Sequence, residues 1–510
     1  MKLADLLDTL EILNADEVSA EARDAQISGV FCRAQDVTPG SLFIAVKGFT
    51  ADGHDFIDQA VARGAVAVVC QKPVHSDTVV AVVADSRKAM ARIAAAFYGH
   101  PSRHMTMVGI TGTNGKTTTS YLVESILQAA GFSCGVIGTI NYRFADQVHD
   151  NPVTTPESLD LQGILARMRE AGVTHVVMEV SSHALSLHRV RDCFFDIGVF
   201  TNFTQDHLDY HLTMDAYWEC KRTLFTELLP AAHGVKSVRA VINTEDPRGR
   251  ELAAALDLPC LTTGRRIGNA VRTLKAYFDL NGIAAAIETP SGLLEIHSPL
   301  MGRHNLENIL SATAVGLSLE LSVESIKKGI ETLENVPGRL ERVPDPAGRF
   351  VYVDYAHKPD ALENVLLALR ALTADRIICL FGCGGDRDRL KRPLMGGIAA
   401  RLSDLTIITS DNPRSEQPQA IIEEIVAGVK PVCDYTYSSA RLQQNGFDRQ
   451  GYAVEPDRRR AIALGVAASR PGDTLLIAGK GHEPYQIIGK EKLAFDDRIE
   501  VAKALGLGSE

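Results

Sequence analysis

Between Thr111 and Thr118 the chain reads TGTNGKTT, small residues closed by a lysine and two hydroxyls. Gly112, Thr113, Asn114 and Gly115 can let backbone N–H groups close on a polyphosphate. Lys116 brings a point charge to the transferring phosphate, and Thr117, followed by Thr118, offers a hydroxyl to magnesium. This is the chemistry of a nucleotide cradle. It departs from the strict GxxxxGK[ST] pattern, because Ile110 stands at the first glycine position.

Other reactive side chains gather where apolar runs end. Glu179, Ser181, Ser182 and His183 close the run from Thr174 to Val180, and Asp206 to His211 reads DHLDYH. A carboxylate at a strand end beside a phosphate loop is where a magnesium ligand is wanted. On residues alone DHLDYH reads better as a polar surface turn, since His207 and His211 are spaced as many unligated histidines are. Lys221 lies in AYWECKRTLF, where Tyr217, Leu224 and Phe225 have helical spacing, and a lysine on such a helix is expected in solvent. Asn305 and Asn308, one helical turn apart, could read a purine edge or serve as capping or surface amides.

These groups need elements to hold them. Met105 to Ile110 alternates as a buried strand, and Leu122, Val123, Ile126, Leu127 and Ala130 repeat at helical spacing until Gly131. Before them come strands at 41–46, 65–69 and 79–83, a helix at 87–97, and a break at Gly99–Ser102. Asn335–Gly338 marks a second break. Beyond it, apolar strands at 350–353, 376–381, 405–409 and 474–478 run into DYAHKP, GCGGDRD, SDNPRSE and GKGHE. In doubly wound sheets ligands bind at those strand ends. The polar stretch Asp434 to Gly451 reads as a surface insertion. The fold class is therefore α/β with three domains: a small N-terminal α/β domain (1–101), a central P-loop ATPase domain (102–335) and a C-terminal Rossmann-like domain (336–510).

Bulk properties narrow the partners. A net charge of −10 over 510 residues argues against nucleic acid. Nine scattered cysteines without a CxxC pair fit a reducing compartment. No apolar run approaches membrane-spanning length, and Met1 to Leu13 reads as an acidic amphipathic helix without a signal-peptide core. A cytoplasmic protein, inserted in no membrane, is expected.

In their order along the chain, TGTNGKT, EVSSHAL, DHLDYH, Lys221, GRHNLENIL, PGRLE, DYAHKP, DNPR and GKGHE resemble the Mur ligase family and cover nearly its whole length. The resemblance implies an ATP-dependent ligase of peptidoglycan precursor synthesis, active as a monomer, whose substrate carboxylate becomes an acyl phosphate before an amine displaces phosphate. It implies magnesium held by Thr117, and a second ion held by Glu179, His207 and Lys221 after Lys221 has taken up carbon dioxide as a carbamate. It places Lys116, Glu179, His207 and Lys221 at the catalytic centre, and Asn305, Arg339 and His357, with Asp354, at the nucleotide.

For UDP-N-acetylmuramoyl-L-alanyl-D-glutamate the matching positions are Val30, Cys32, Phe49, Thr50, Ala51, Thr154, Thr155, Ser181 and Arg189. For meso-diaminopimelate they are Arg387, Asp411, Asn412, Pro413, Arg414, Gly479 and Glu483, with Arg414 suited to the distal carboxylate and Glu483 to the distal ammonium. One departure stands out: the Asp-Ser-Arg triplet usual at the uridine site reads Phe31–Cys32–Arg33 here. The competing readings are a lysine-adding member of the same family and a P-loop ATPase without ligase activity. Because the binding residues lie on separate domains, closure around the substrates is expected.

Overall fold

The computed structural model describes residues 1–74, 76, 78–373 and 375–507 of the chain. The chain divides into two compact units. One comprises Met1–Leu274, Ile287–Leu294 and Glu307–Ile330; the other comprises Lys275–Ala286, Glu295–Leu306 and the chain from Glu331 onward. Among the described residues no helix is long and apolar enough to cross a membrane.

The first unit opens with a parallel four-stranded sheet, Gly29–Phe31, Ser41–Ile44, Ala65–Cys70 and Val79–Val82, in sequence order. Helix Ser86–Phe97 buries Met90 and Ile93 in the same core as Leu3, Leu6 and Leu7. The N-terminal helix is shorter than expected, Leu3–Leu7, and ends at Asp8; beyond it Leu10 and Ile12 still pack on the same core, with Ile12 bridged to Val83.

In the larger sheet of this unit, Thr106–Thr111 lies between His175–Glu179 and Ile197–Phe200 and is parallel to both. All three strands are buried nearly throughout, so they read as continuous apolar runs. The register pairs Ile110 with Glu179 and Thr111 with Phe200. Three strand ends therefore sit side by side, and the loops starting at 112, 180 and 201 leave from one edge. Helix Lys116–Ala129 follows the first of them, with Leu122, Val123, Ile126 and Leu127 buried.

The second unit holds a six-stranded sheet in the order Glu341–Val343, Phe350–Asp354, Thr474–Ala478, Ile377–Phe381, Leu405–Ile408 and Gly451–Val454. Only the first pair is antiparallel. The four strands expected to carry polar clusters are thus parallel neighbours, and their clusters leave one edge together. The stretch 434–451 lies largely at the surface, as its polarity suggests. It contains helix Ser439–Asn445 and buries Tyr437, Leu442 and Phe447 beside Ile462 and Leu475. These three apolar residues, five apart, match neither helix nor strand spacing, so periodicity could not reveal them.

Candidate active site

The phosphate loop of the first unit is shaped by the chain beside it. The Thr113 N–H donates to the Asn202 carbonyl at 2.8 Å and the Asn114 N–H to Asn202 Oδ1 at 2.9 Å, while Thr201 Oγ1 donates to the Asn114 carbonyl at 2.7 Å. Gly112 and Gly115 have φ of 146° and 84°. A Cβ would overlap the Thr201 hydroxyl at the first and the Asn308 side-chain oxygen at the second, so both positions require glycine. Lys116 folds back, its Nζ donating to the carbonyls of Gly112 at 3.0 Å and Thr113 at 2.9 Å. Thr117 and Thr118 are buried in the first turn of the helix.

Thr117 Oγ1 donates to Glu179 Oε2 at 3.1 Å, which joins the first two expected metal ligands. Thr139 contributes its N–H to Oε1 and its hydroxyl to Oε2, each at 2.9 Å. Glu179 is only 1% exposed, and these three bonds meet both of its carboxylate oxygens. A hydroxyl and a carboxylate so placed are hard oxygen donors of the kind magnesium takes. Thr139 carries no sequence signal; it follows a short strand and a glycine like many other threonines.

Lys221 reverses the expectation of a solvated side chain. It is 1% exposed, Nζ donates to the Gly112 carbonyl at 2.8 Å, and it stands 4.6 Å from the centre of the Tyr217 ring. Burial, with Lys116 nearby, pushes its amine well below the usual lysine range. The helix Met214–Thr223 that carries it widens into a π-turn at Leu224–Leu228.

His207 is more open. It adopts φ of 53°, its Nε2 lies 3.4 Å from Asp206 Oδ2, and its ring meets His183 edge-on at 5.0 Å. His211 is buried against Tyr217, with rings 5.0 Å apart, so the two histidines of DHLDYH have different surroundings. Among the described residues no three His, Cys, Asp or Glu side chains form a metal-ligating group.

Around Glu179, Thr155 Oγ1 donates to its backbone carbonyl at 2.8 Å and accepts from the Ser181 N–H at 3.2 Å. Thr154 meets the Thr139 hydroxyl at 3.1 Å. Arg189 donates to the Thr155 carbonyl at 3.0 Å. Val30 is buried, and burial raises the half-exposed Cys32 thiol to about 11, so it remains an S–H donor. Phe49, Thr50 and Ala51 are exposed, and Phe49 meets the Tyr210 ring at 6.0 Å.

In the second unit, Asn412 Oδ1 accepts from Lys480 Nζ at 3.0 Å and from the Ile487 N–H at 2.9 Å, and its Nδ2 donates to Glu483 Oε2 at 3.0 Å. Lys480 also stands 3.3 Å from Glu483, so part of that carboxylate's charge is already balanced. Arg414 has φ of 50°; its N–H donates to the Ile487 carbonyl and its guanidinium to the Gly385 carbonyl at 2.7 Å. Asp411, next to Gly479, is buried with Oδ2 unpaired and 3.9 Å from Arg458. Pro413 is buried and Arg387 is exposed.

Asp354 accepts the N–H groups of Leu340 at 2.7 Å and Ala356 at 2.8 Å. Arg339 stacks 5.5 Å over Tyr355, which also touches the rings of His357 and His482. Asn305 binds back to the Met301 carbonyl at 2.8 Å, whereas Asn308 packs on the phosphate loop of the first unit; the two amides do not act as a pair. Lys391 donates to the His357 carbonyl at 2.7 Å, a contact with no sequence signal.

Burial lowers His357 and His482 to about 4, against an ordinary value of 6.5. As pH falls the unfolded chain binds these protons first, so the stability due to each neutral ring is complete above pH 6.5 and lost on the way down to 4. Denaturation midpoints measured from pH 7 to pH 4 should fall more steeply for the native protein than for His482→Gln. Parallel curves would show that His482 is not held neutral.

Three Mur ligase sequence families match successive stretches: the family's catalytic domain at residues 26–107, its middle domain at 110–316 and its glutamate ligase domain at 338–481. A relative from Geobacter metallireducens, UDP-N-acetylmuramoyl-L-alanyl-D-glutamate–2,6-diaminopimelate ligase, is 50% identical over 99% of this chain and 98% of its own length. The ligase of the same name from Geobacillus thermodenitrificans is 44% identical over 92% of this chain and 93% of its own. A solved structure of a ligase with that name superposes with a TM-score of 0.71 at 29% identity, covering 99% of both chains. With a cradle of the expected build and relatives matched almost end to end, the chain belongs to the Mur ligase family.

Proposed function

We propose that this chain is the ATP-dependent ligase that adds meso-2,6-diaminopimelate to UDP-N-acetylmuramoyl-L-alanyl-D-glutamate in peptidoglycan precursor synthesis. The observation that carries the reading is kinship at 50% identity, nearly end to end, with a ligase named for that reaction. The intact DNPR loop supports it. We further propose that the chain works as a cytoplasmic monomer and that its domains meet near 101/102 and 335/336.

In this mechanism a carboxylate oxygen of the UDP-linked dipeptide attacks the γ-phosphorus of ATP, and ADP leaves. The amine of diaminopimelate then attacks the acyl phosphate carbonyl, loses a proton, and phosphate departs as the amide forms. Both steps bring anions together, so fixed cations and backbone N–H groups must face the transferring phosphate. Lys116 and the 112–115 loop fill that role. Thr117 and Glu179 would hold magnesium, which supplies neutralising charge to the phosphates.

We assign Lys221 a carbamate. Burial pushes this amine well below the usual lysine range, which favours the free base that attacks carbon dioxide; the N–C bond forms, one proton is released, and a neutral amine becomes an anionic oxygen donor. His207, with Glu179, would complete that second ligand set. For the amino acid, Arg414 is fixed by backbone contacts on both sides and meets the distal carboxylate, while Asn412 and Lys480 set the position of Glu483 toward the distal ammonium. A lysine-adding ligase needs no cation at the Arg414 position.

Phosphate release from ATP with the UDP-dipeptide should require meso-diaminopimelate and yield the tripeptide by mass. Release with L-lysine alone would overturn the specificity, and release indifferent to either would favour a plain ATPase. Arg414→Ala should raise KM for diaminopimelate about tenfold to a hundredfold, the worth of a charge-assisted contact, and leave KM for ATP within about twofold; equal losses would make Arg414 structural. Lys221→Ala should lower kcat by about a hundredfold or more and be partly restored by added short carboxylic acids. Near-normal turnover of that variant would remove Lys221 from the mechanism.

A further inference from the structure

Glu157 closes the TTPE turn that carries Thr154 and Thr155, directly ahead of helix Ser158–Glu170. Its side chain makes no capping bond to that helix. The carboxylate instead faces two arginines from distant parts of the chain: Oε1 lies 2.6 Å from Arg189, and Oε2 lies 3.2 Å from Arg87. The side chains are largely withdrawn from water, with exposures of 18% for Arg87, 13% for Arg189 and 27% for Glu157.

Each arginine also grips a backbone carbonyl. Arg189 donates to Thr155 at 3.0 Å, and Arg87 donates to Lys47 at 3.1 Å, where the loop of Phe49, Thr50 and Ala51 begins. One carboxylate thus ties together two segments that both carry positions matched to the UDP-linked dipeptide. Arg189 keeps a buried Nε–H with no protein acceptor, which remains for an acidic group of the ligand. An ion pair serving stability alone would have no need to end on these particular carbonyls.

We infer that Glu157 is a positioning residue for the UDP-sugar dipeptide. It orients Arg189 toward the peptide end and, through Arg87, holds the 47–52 loop in register for the uridine end. The inference rests on the function proposed above.

Steady-state kinetics of Glu157→Gln test it, because the amide keeps the size but loses the charge that binds both guanidinium groups. KM for the UDP-dipeptide should rise about tenfold, with KM for ATP and for diaminopimelate unchanged within about twofold. Arg87→Met should raise the same KM, and the double variant should be no worse than the poorer single one, since Arg87 acts through Glu157. Glu157→Asp, too short to span both arginines, should not rescue. An unchanged KM for the UDP-dipeptide, a parallel rise in all three KM values with a fall in melting temperature, or additive single effects would each overturn the assignment. Native protein that fails to turn over the UDP-dipeptide would instead sink the proposed function, so the two failures are distinguishable.

Discussion

A carboxyl group taken out of water needs hydrogen-bond partners at its oxygens, and Glu179 shows what that demands of its surroundings. Thr117 reaches it from the first turn of the phosphate-loop helix and Thr139 from the turn after a neighbouring strand. Thr155 fixes the backbone of the same residue through its carbonyl. Three segments remote in sequence are therefore held at one strand end by one residue, two through its carboxyl group and one through its backbone carbonyl. The parallel register of 106–111 with 175–179 makes this possible, because it sets Ile110 beside Glu179 and sends both loops out of the same edge.

The second unit obeys the same rule with the opposite charge. Arg392 is fully buried and is met by Glu416, by Glu424 and by the Gly384 carbonyl; Arg458 is met by Asp497 and the Ala478 carbonyl. Removing one partner from such a pair typically costs about 3–5 kcal/mol, because the other charge is left buried alone. The pairs lie under the DNPR and GKGHE turns rather than in the middle of the hydrophobic core. They tie those turns to the helices beneath them, Arg392 through Glu416 and Arg458 through the Ala478 carbonyl.

Much of this could be read from the sequence because the informative features were local. A strand of buried residues, a glycine-rich turn and a helix at 105–131 are each legible in a short window, and the same holds for the four strand-end clusters beyond 350. What could not be read depended on partners far away in the chain. Lys221 has the spacing of a solvated helix residue, and only the carbonyl of Gly112 and the ring of Tyr217 reveal it as buried. Thr139, Lys391 and Glu157 matter through long-range contacts that leave no periodic trace. Asn305 and Asn308 looked like a pair because they share a helix face, yet their partners differ. The 434–451 stretch lies at the surface as its polarity suggests, while Tyr437, Leu442 and Phe447 anchor it to the core without a periodic trace.

The departure at Phe31–Cys32 follows from packing as well as chemistry. A Cβ at residue 29 would stand 2.8 Å from the Phe31 ring, so the ring can lie over that strand only because Gly29 is there. Cys32, its thiol held in the neutral form by burial, keeps a donor where the family has a hydroxyl, but a weaker one. The 47–52 loop beside it is anchored separately, through the Lys47 carbonyl and Arg87.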